Sequence, residues 1–404
     1  MLTPHTNSKP GAQVNRLQRG VWVLGFVSLL MDISSEMIHG LLPVYLSAGL
    51  GVSMLAIGWI EGIAEATSSI TKLFSGALSD YLGKRKLLAA IGYGMAAFTK
   101  PVFPLATALE WIVAARFIDR LGKGIRGAPR DALVADMTPA SLHGAAFGLR
   151  QSLDTVGAVA GPLLAIGLML LSANNFALVF WVAVIPGFAA FALVLFAVED
   201  VKRPGAKDSV RPRLGWAELR KFTSSFWFVV AVGAVLTLAR FSEAFLILRT
   251  MDLGLALALA PLALVAMNVM YALAAYPAGR LSDRFGRRAP LLVGVVMLIA
   301  SHLALAAASS LIWLAPGILF WGLHMGFTQG LLAALVADTV PRHLRGTGFG
   351  VFNLITGAAM LAASVIAGAL WQGLGAAATF YAGAGFAALA LAGLGLVRFR
   401  NNSA

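Results

Sequence analysis

The sequence predicts an all-α integral membrane protein with twelve transmembrane helices, arranged as two parallel-repeat bundles of six helices. Three observations lead to this fold class. Hydrophobic residues make up 59% of the 404 residues, against roughly 45–50% apolar residues in soluble domains. Apolar stretches of membrane-spanning length recur along the whole chain. Two sequence patches also recur about half a chain apart, which indicates an internal duplication.

Composition excludes several classes of protein. Charged residues are only 12% of the chain, too few to cover a soluble enzyme. The net charge of +13 comes from Lys and Arg in short loops between apolar stretches, so we expect a lipid bilayer as partner and no nucleic acid. The absence of cysteine excludes disulfides and thiolate metal ligands. No resident cofactor is expected.

The expected spans follow from bilayer thickness, because a hydrocarbon core of about 30 Å requires about 20 apolar residues per helix. They lie near residues 20–47, 53–78, 86–104, 107–127, 143–171, 175–197, 225–249, 256–279, 290–309, 311–337, 346–372 and 376–397. An even number of spans puts both termini on one side of the membrane.

Basic residues define which side that is. They cluster at alternate loops and beside both termini, whereas the opposite loops hold almost none, with Arg249 the nearest exception. The positive-inside rule then makes both termini cytoplasmic. We therefore expect a multi-pass protein of the bacterial inner membrane.

The chain divides into five parts by polarity. We expect a cytoplasmic tail at 1–19, a six-helix bundle at 20–197, a cytoplasmic linker at 198–224, a second bundle at 225–397 and a short tail at 398–404. The linker is the only long polar stretch of the interior, and its Pro and Gly residues are typical of a loop.

The internal repeat supports the two-bundle division. GALSDYLGKRKLL at 76–88 recurs as GRLSDRFGRRAPLL at 279–292, and DALVADMTPASLHGAAFG at 131–148 recurs as AALVADTVPRHLRGTGFG at 333–350. Both offsets are 202 or 203 residues. Parallel repeats of six helices are typical of transporters that hold their solute between the halves.

The duplicated D-x-x-G-basic-basic loop resembles the signature loop of the major facilitator superfamily, and the resemblance extends over the whole chain. It implies a conformational latch, in which the loop Asp pairs with basic groups at cytoplasmic helix ends. The latch residues would be Gly76, Asp80, Gly83 and Arg85, with Gly279, Asp283, Gly286 and Arg288 in the second copy. Gly83 and Gly286 suit a tight turn because glycine tolerates positive φ.

Two further motifs concern coupling and direction. RFIDRLGKG at 116–124 resembles a family pattern in which the Arg, here Arg116, is linked to proton coupling; a cytoplasmic basic stripe is the alternative. GAVAGPLLA at 157–165 resembles the motif of antiporters and exporters. Gly157 and Gly161 would permit close helix packing, and Pro162 would bend the helix.

Ionisable residues within the spans are the candidate solute and proton sites, because charge is costly at membrane depth. Structural ion pairs are the alternative: Asp32 with Arg150 or Lys100, Asp154 with Arg150 or Arg116, and Arg240 with Glu243. His39 could also lie solvated near the outer interface. The candidates are Asp32, Glu36, His39, Glu61, Glu65, Arg116, Asp154, Arg240, Glu243, His324 and Gln329.

Glu61 and Glu65 stand out among these residues. They lie one helical turn apart, and two carboxylates so placed in a low-dielectric site repel. At least one of them is therefore expected to have a raised pKa and could carry a proton.

Asp32, Glu36 and His39 share one helix face and together suit a hard or borderline divalent cation. The stretches at 28–46, 60–94 and 116–136 resemble the branch that contains nickel-resistance efflux permeases, which implies a transported ion such as nickel. We therefore expect a monomeric, proton-coupled efflux transporter of a small solute. Export of drugs or other small organic solutes remains the alternative, and a membrane receptor or a channel represents a different class.

Overall fold

The computed structural model describes residues 17–139, 142–199, 222–340 and 345–396. Most of the expected N-terminal tail, most of the expected linker and the expected C-terminal tail therefore lie outside the described residues.

Long helices connected by short turns make up the described chain. They are α1 Arg19–His39, α2 Met54–Leu82, α3 Arg85–Thr99, α4 Leu109–Asp136, α5 His143–Leu171, α6 Phe176–Ala197, α7a Ser224–Ala239, α7b Ala244–Asp252, α8 Leu262–Phe285, α9 Arg288–Ala307, α10 Leu311–Thr339, α11 Arg345–Leu374 and α12 Ala376–Leu396. Short helical turns occupy Leu42–Val44, Tyr45–Gly49, Val102–Leu105 and Leu257–Leu259.

Nine segments of the described chain are long and apolar enough to cross a membrane. The helices α2, α3 and α4 are not among them. Helix α3 has only 15 residues, and α2 and α4 contain several of the charged residues discussed below. The nine segments are Arg19–Gly49, His143–Leu171, Phe176–Ala197, Ser224–Asp252, Leu257–Ser282, Arg288–Ala307, Leu311–Gln329, Thr347–Leu374 and Ala376–Gly395.

Local sequence signals explain where several helices begin and end. Ser53 caps α2 by accepting a hydrogen bond from the Ala56 N–H at 3.2 Å, and Asn175 caps α6 by accepting one from Leu178 at 3.1 Å. Both satisfy amide donors that have no partner within the helix. Helix α2 ends where Gly83 takes a φ of 61°, and Gly286 ends α8 with a φ of 76°. This left-handed region favours glycine.

The seventh helix is interrupted, whereas the sequence predicts one continuous span at 225–249. Residues 240–243 are not helical and separate α7a from α7b. Side chains replace the missing helical hydrogen bonds: the Ser242 N–H donates to Ser364 Oγ of α11 at 3.2 Å, and the Ala244 N–H donates to Ser242 Oγ at 3.3 Å. Irregular backbone is tolerated at membrane depth when its polar groups are satisfied in this way.

Helix packing follows the same pattern in both parts of the chain. In the first part α1 packs on α5 and α6, α3 packs on α4 and α6, and α2 packs on α4. In the second part the corresponding pairs form between helices six positions later: α7a with α11 and α12, α9 with α10 and α12, and α8 with α10. The two parts meet mainly where α2 packs along α11 and α5 packs against α8.

Candidate functional site

A cavity of about 300 Å³ lies between the two groups of helices. Its walls combine charged side chains from α1, α2 and α4 with residues from the break between α7a and α7b, and with Trp321 and Gln329 of α10. The charged lining side chains are Glu36, Glu61, Glu65, Glu243, Arg116, Arg120, Lys123 and Arg240, and His39 lines the cavity beside them.

Two ion pairs connect α2 with α4 at one wall of the cavity. Arg116 Nη2 donates to Glu61 Oε2 at 2.7 Å, and Arg120 Nη2 lies 3.3 Å from Glu65 Oε1. Residues four apart lie above one another on a helix face, so equal spacing on the two adjacent helices brings each carboxylate to its own guanidinium. The repulsion expected between Glu61 and Glu65 is therefore offset by two cations.

The first of these pairs is also tied to the second half of the chain. Ser242 Oγ, in the break of the seventh helix, donates to Glu61 Oε2 at 3.3 Å. Glu61 is 3% exposed and Arg116 is 3% exposed, so the contact is shielded from solvent. A movement between the two halves must change this contact.

His39 is buried rather than solvated at an interface. Its Nδ1 accepts a hydrogen bond from Arg120 Nη2 at 3.1 Å, which leaves the proton of a neutral imidazole on Nε2. That nitrogen faces Asp119 Oδ2 at 3.4 Å. The other Asp119 oxygen, Oδ1, accepts from Lys100 Nζ at 2.8 Å, so a buried carboxylate connects the imidazole to a buried ammonium.

Asp32 and Glu36 lie where α5 packs against α1. A Cβ added to Gly157 would lie 2.9 Å from Asp32 Cβ, and one added to Gly161 would lie 2.8 Å from Glu36 Cβ. The glycines of the exporter-like motif thus allow α5 to approach the acidic face of α1, next to Pro162 within α5. Glu36 Oε1 is 3.9 Å from His39 Nδ1.

The Asp32 side chain makes no hydrogen bond or ion pair with any described residue. The two partners that the sequence suggests for Asp32, Arg150 and Lys100, form ion pairs with other residues. Arg150 Nη1 donates to Asp154 Oδ2 at 2.6 Å, which is one of the two pairings expected for Asp154. Lys100 donates to Asp119. Asp154 also lies 4.0 Å from Arg130 Nη1 and does not line the cavity.

Arg240 and Glu243 project into the cavity from the break of the seventh helix. Within the described chain neither side chain has an ion-pair or hydrogen-bond partner, so they do not pair with each other. Gln329 lines the same cavity. His324 does not: it is fully buried, and its Nδ1 lies 2.8 Å from the Gly294 carbonyl oxygen, between α10 and α9.

The expected latch residues lie in the last turns of α2 and α8, in the connections that follow, and at the first residues of α3 and α9. Arg85 donates to the Ala132 carbonyl at 3.1 Å and is ion-paired with Asp136 at the end of α4. Arg288 donates to the Gly395 carbonyl at 2.9 Å. Gly76 of α2 faces Ala128 of α4. The side chains of Asp80 and Asp283 lie outside what the structure describes, and the latch role of all these residues stays a prediction.

Several cavity residues were not among the sequence candidates. They include Phe241 and Ser242 at the helix break and Trp321 on α10, and nothing in their local sequence distinguishes them from packing residues. Arg120 and Lys123 could have been found, because with Arg116 they share one helix face, as Glu61 and Glu65 do. Asp119 carried no such signal, since its partners come from α1 and the end of α3.

The described residues contain no group of three or more His, Asp or Glu side chains that could hold a metal ion. Asp32, Glu36 and His39 share a helix face, but in this conformation they do not form a common ligand set. His39 instead contacts Arg120.

Comparison with known proteins identifies the family. The model of the Major Facilitator Superfamily matches residues 24–267 and 244–403. The chain belongs to the Major Facilitator Superfamily. As a superfamily member it is a multi-pass membrane transporter. An MFS-type transporter of Methanocaldococcus jannaschii, described as uncharacterized, is 33% identical over 369 residues, which cover 88% of this chain and 89% of the relative.

Two further similarities concern a named resistance protein and a solved structure. The quinolone resistance protein NorA of Staphylococcus aureus is 25% identical over 224 residues, 55% of each protein. A POT family transporter solved in complex with 5-aminolevulinic acid superimposes with a TM-score of 0.78 at 14% identity, over 93% of this chain and 94% of that chain. At this identity the structural similarity concerns the fold alone.

Proposed function

We propose that this superfamily member is a proton-coupled exporter of small organic solutes that works by alternating access through the central cavity. The observation that carries the proposal is the pair of unpartnered charges, Arg240 and Glu243, at the break of the seventh helix. Charges without partners are costly at membrane depth. A transport site can bear this cost because the solute supplies the missing partners when it binds.

The charge balance of the cavity favours one class of solute. Four carboxylates and four cationic side chains line it, so its formal charge is zero while His39 is neutral. Glu61 with Arg116, and Glu65 with Arg120, offset each other. Glu36 and Glu243 on one side, and Lys123 and Arg240 on the other, remain for the solute. A small solute with both an amine and a carboxylate, lying against Phe241 and Trp321, would match this lining without adding net charge.

Protons would be carried by carboxylates that have no cationic partner. Among the candidate residues Asp32, Glu36 and Glu243 are in that position, since Glu61 and Glu65 each have an arginine and His39 beside Glu36 is neutral. Proton binding removes a charge that is costly at membrane depth. Protons moving inward through these carboxylates would alternate with solute moving outward.

Export is supported by two features. Gly157, Gly161 and Pro162 resemble the exporter motif, and the related NorA is named for quinolone resistance. Nickel remains a prediction of the branch resemblance alone, because the described residues offer no grouped metal ligands.

We also propose that α2, α3 and α4 span the membrane with the nine apolar segments, giving twelve spans in two repeats. The monomer would lie in the bacterial inner membrane with both termini cytoplasmic. The matching helix pairs in the two parts of the chain support the duplication, and the distribution of Lys and Arg supports the orientation.

Reconstituted proteoliposomes with an imposed pH gradient test this proposal. We would measure movement of a quinolone that carries both an amine and a carboxylate, with Ni²⁺ as a second arm. The variants are Glu243→Gln in the cavity and Glu199→Gln, a matched control at an exposed residue beyond α6. Proton-driven quinolone movement that Glu243→Gln abolishes and Glu199→Gln retains is expected. Ni²⁺ movement without quinolone movement would contradict the proposed organic solute and would favour Ni²⁺ as the transported ion.

A further inference from the structure

A second cavity lies on the flank of the first six helices, between the beginnings of α2 and α4. Its volume is about 440 Å³, and its lining is apolar except for Glu110 and Arg116. Three large side chains of this groove are substantially exposed, Trp59 at 47%, Ile63 at 40% and Phe117 at 43%. In a membrane-spanning protein such a surface faces lipid, so the groove is open to the bilayer and not to water.

Arg116 belongs to both cavities, because it lines the groove as well as the central cavity. Its guanidinium is 3% exposed, and one nitrogen, Nη2, donates to Glu61. The other two nitrogens, Nε and Nη1, are buried and have no hydrogen-bond partner among the described residues. Buried donors in native proteins are almost always satisfied, which points to an acceptor that comes from outside the chain.

The depth of Arg116 indicates where this acceptor comes from. Arg116 lies seven residues into α4, about 10 Å from the helix start at 1.5 Å per residue. The groove lies at the first turns of α2 and α4, whereas the basic turn at Lys84 and Arg85 follows the other end of α2. In the proposed orientation the basic turn is cytoplasmic, so the groove lies in the outer leaflet. On the groove side of Arg116 water is scarce, whereas membrane-dissolved solutes are concentrated there.

Charge determines the chemistry of the occupant. The positive charge of Arg116 is already matched by Glu61, so a second carboxylate would leave an uncompensated negative charge in a low-dielectric site. A carbonyl oxygen would satisfy the free N–H groups without adding charge. The apolar surfaces of Trp59, Ile63 and Phe117 would accept a hydrocarbon tail.

We propose that the groove between α2 and α4 binds an uncharged amphiphile from the outer leaflet, which lays its apolar tail against Trp59, Ile63 and Phe117 and presents a carbonyl oxygen to Arg116. Because Arg116 lines both the groove and the central cavity, an occupant of the groove contacts a residue of the central cavity wall. The inference rests on the proposed function for two points, the spanning of the membrane by α2 and α4 and the orientation in the membrane.

Photolabelling of the full chain in lipid nanodiscs tests the site. The probes are two diazirine-bearing chains of equal length, a methyl ketone and the matching hydrocarbon, with the corresponding carboxylate as a third. The ketone is expected to label the groove residues of α2 and α4 more strongly than the hydrocarbon or the carboxylate. Ile63→Trp fills the groove and should reduce ketone labelling by at least about tenfold. Ile185→Trp, the same change at a 69% exposed residue of α6, should leave it unchanged.

The variant Arg116→Gln tests the contact between the carbonyl oxygen and Arg116 separately from the apolar contact of the tail. It should remove the preference for the ketone while hydrocarbon labelling persists, and this comparison within one variant needs no transport activity. Equal labelling by ketone and hydrocarbon in the unsubstituted protein, preference for the carboxylate, or no label in the groove would each overturn the proposal. Ketone labelling in a protein that moves no solute would uphold the groove site while contradicting the proposed transport function.

Discussion

Arg85 at the start of α3 is ion-paired with Asp136 at the end of α4, and the second half contains a corresponding pair, Arg287 with Asp338. Asp136 and Asp338 occupy equivalent places in the repeat, whereas Arg287 aligns with Lys84, one residue before the counterpart of Arg85. The two halves therefore make the same kind of contact through different positions of the basic turn, the second residue of Lys84–Arg85 in the first half and the first residue of Arg287–Arg288 in the second. The pairs differ in burial, since the side chains are 12% and 5% exposed in the first pair but 39% and 55% exposed in the second.

This difference predicts unequal effects of removing the acidic partner. Asp136→Ala should lower the free energy of unfolding by about 1.5–3 kcal/mol, because it deletes a shielded charge-assisted hydrogen bond. Asp338→Ala should cost less than about 1 kcal/mol, because solvent screens an exposed ion pair. Denaturant titration in detergent micelles measures both. Equal costs would show that burial does not govern these contacts.

The packing of α5 on α1 predicts opposite signs for two glycine substitutions on one helix. Gly161→Ala would place a Cβ 2.8 Å from both Glu36 Cβ and the Ile33 carbonyl oxygen and should destabilise the protein by about 1–3 kcal/mol through overpacking. Gly167→Ala meets nothing within 4 Å and should stabilise it by about 0.5–1 kcal/mol, because alanine favours helix. Thermal unfolding of the two variants in the same detergent makes the comparison. A stable Gly161→Ala protein would mean that α5 does not need this close approach.

The Glu61–Arg116 pair should behave as one unit. Glu61→Gln alone leaves a buried arginine without its carboxylate and should cost about 3–5 kcal/mol. The double variant Glu61→Gln with Arg116→Gln should cost much less than the sum of the two single variants, because neither charge is left alone. A double-mutant cycle on the free energy of unfolding provides the measurement. Additive losses would indicate that the two residues contribute to stability independently.

His324 is expected to affect stability and not solute recognition. It lies between α10 and α9 beside the Gly294 carbonyl and does not line the cavity. His324→Ala should lower the free energy of unfolding by about 1–3 kcal/mol through a lost buried hydrogen bond and lost packing. Solute affinity, measured by equilibrium binding to the purified protein, should stay at the unsubstituted value. A large loss of affinity at unchanged stability would return His324 to the solute site.

The candidate site could be predicted only in part. The sequence selects Glu61, Glu65 and Arg116 because charge is rare in apolar helices, and all three line the cavity. It could not select among partners, because helical periodicity gives the face of a residue and not the helix opposite. The sequence offers Arg150 as a partner to both Asp32 and Asp154, yet of the two only Asp154 is paired among the described residues.

The sequence by itself determined the membrane class, the expected spans and the duplicated turns, because these depend on composition, on hydrophobic length and on local glycine conformation. Tertiary structure alone decided which charges of the cavity are paired and which have no ion-pair partner among the described residues. The side-by-side packing of α2 and α4 supplies arginines to Glu61 and Glu65, while the break of the seventh helix, satisfied by Ser364 from α11, presents Arg240 and Glu243 to the cavity without partners. Both outcomes depend on contacts between residues that are 55 to 122 positions apart, and no local pattern encodes such distances.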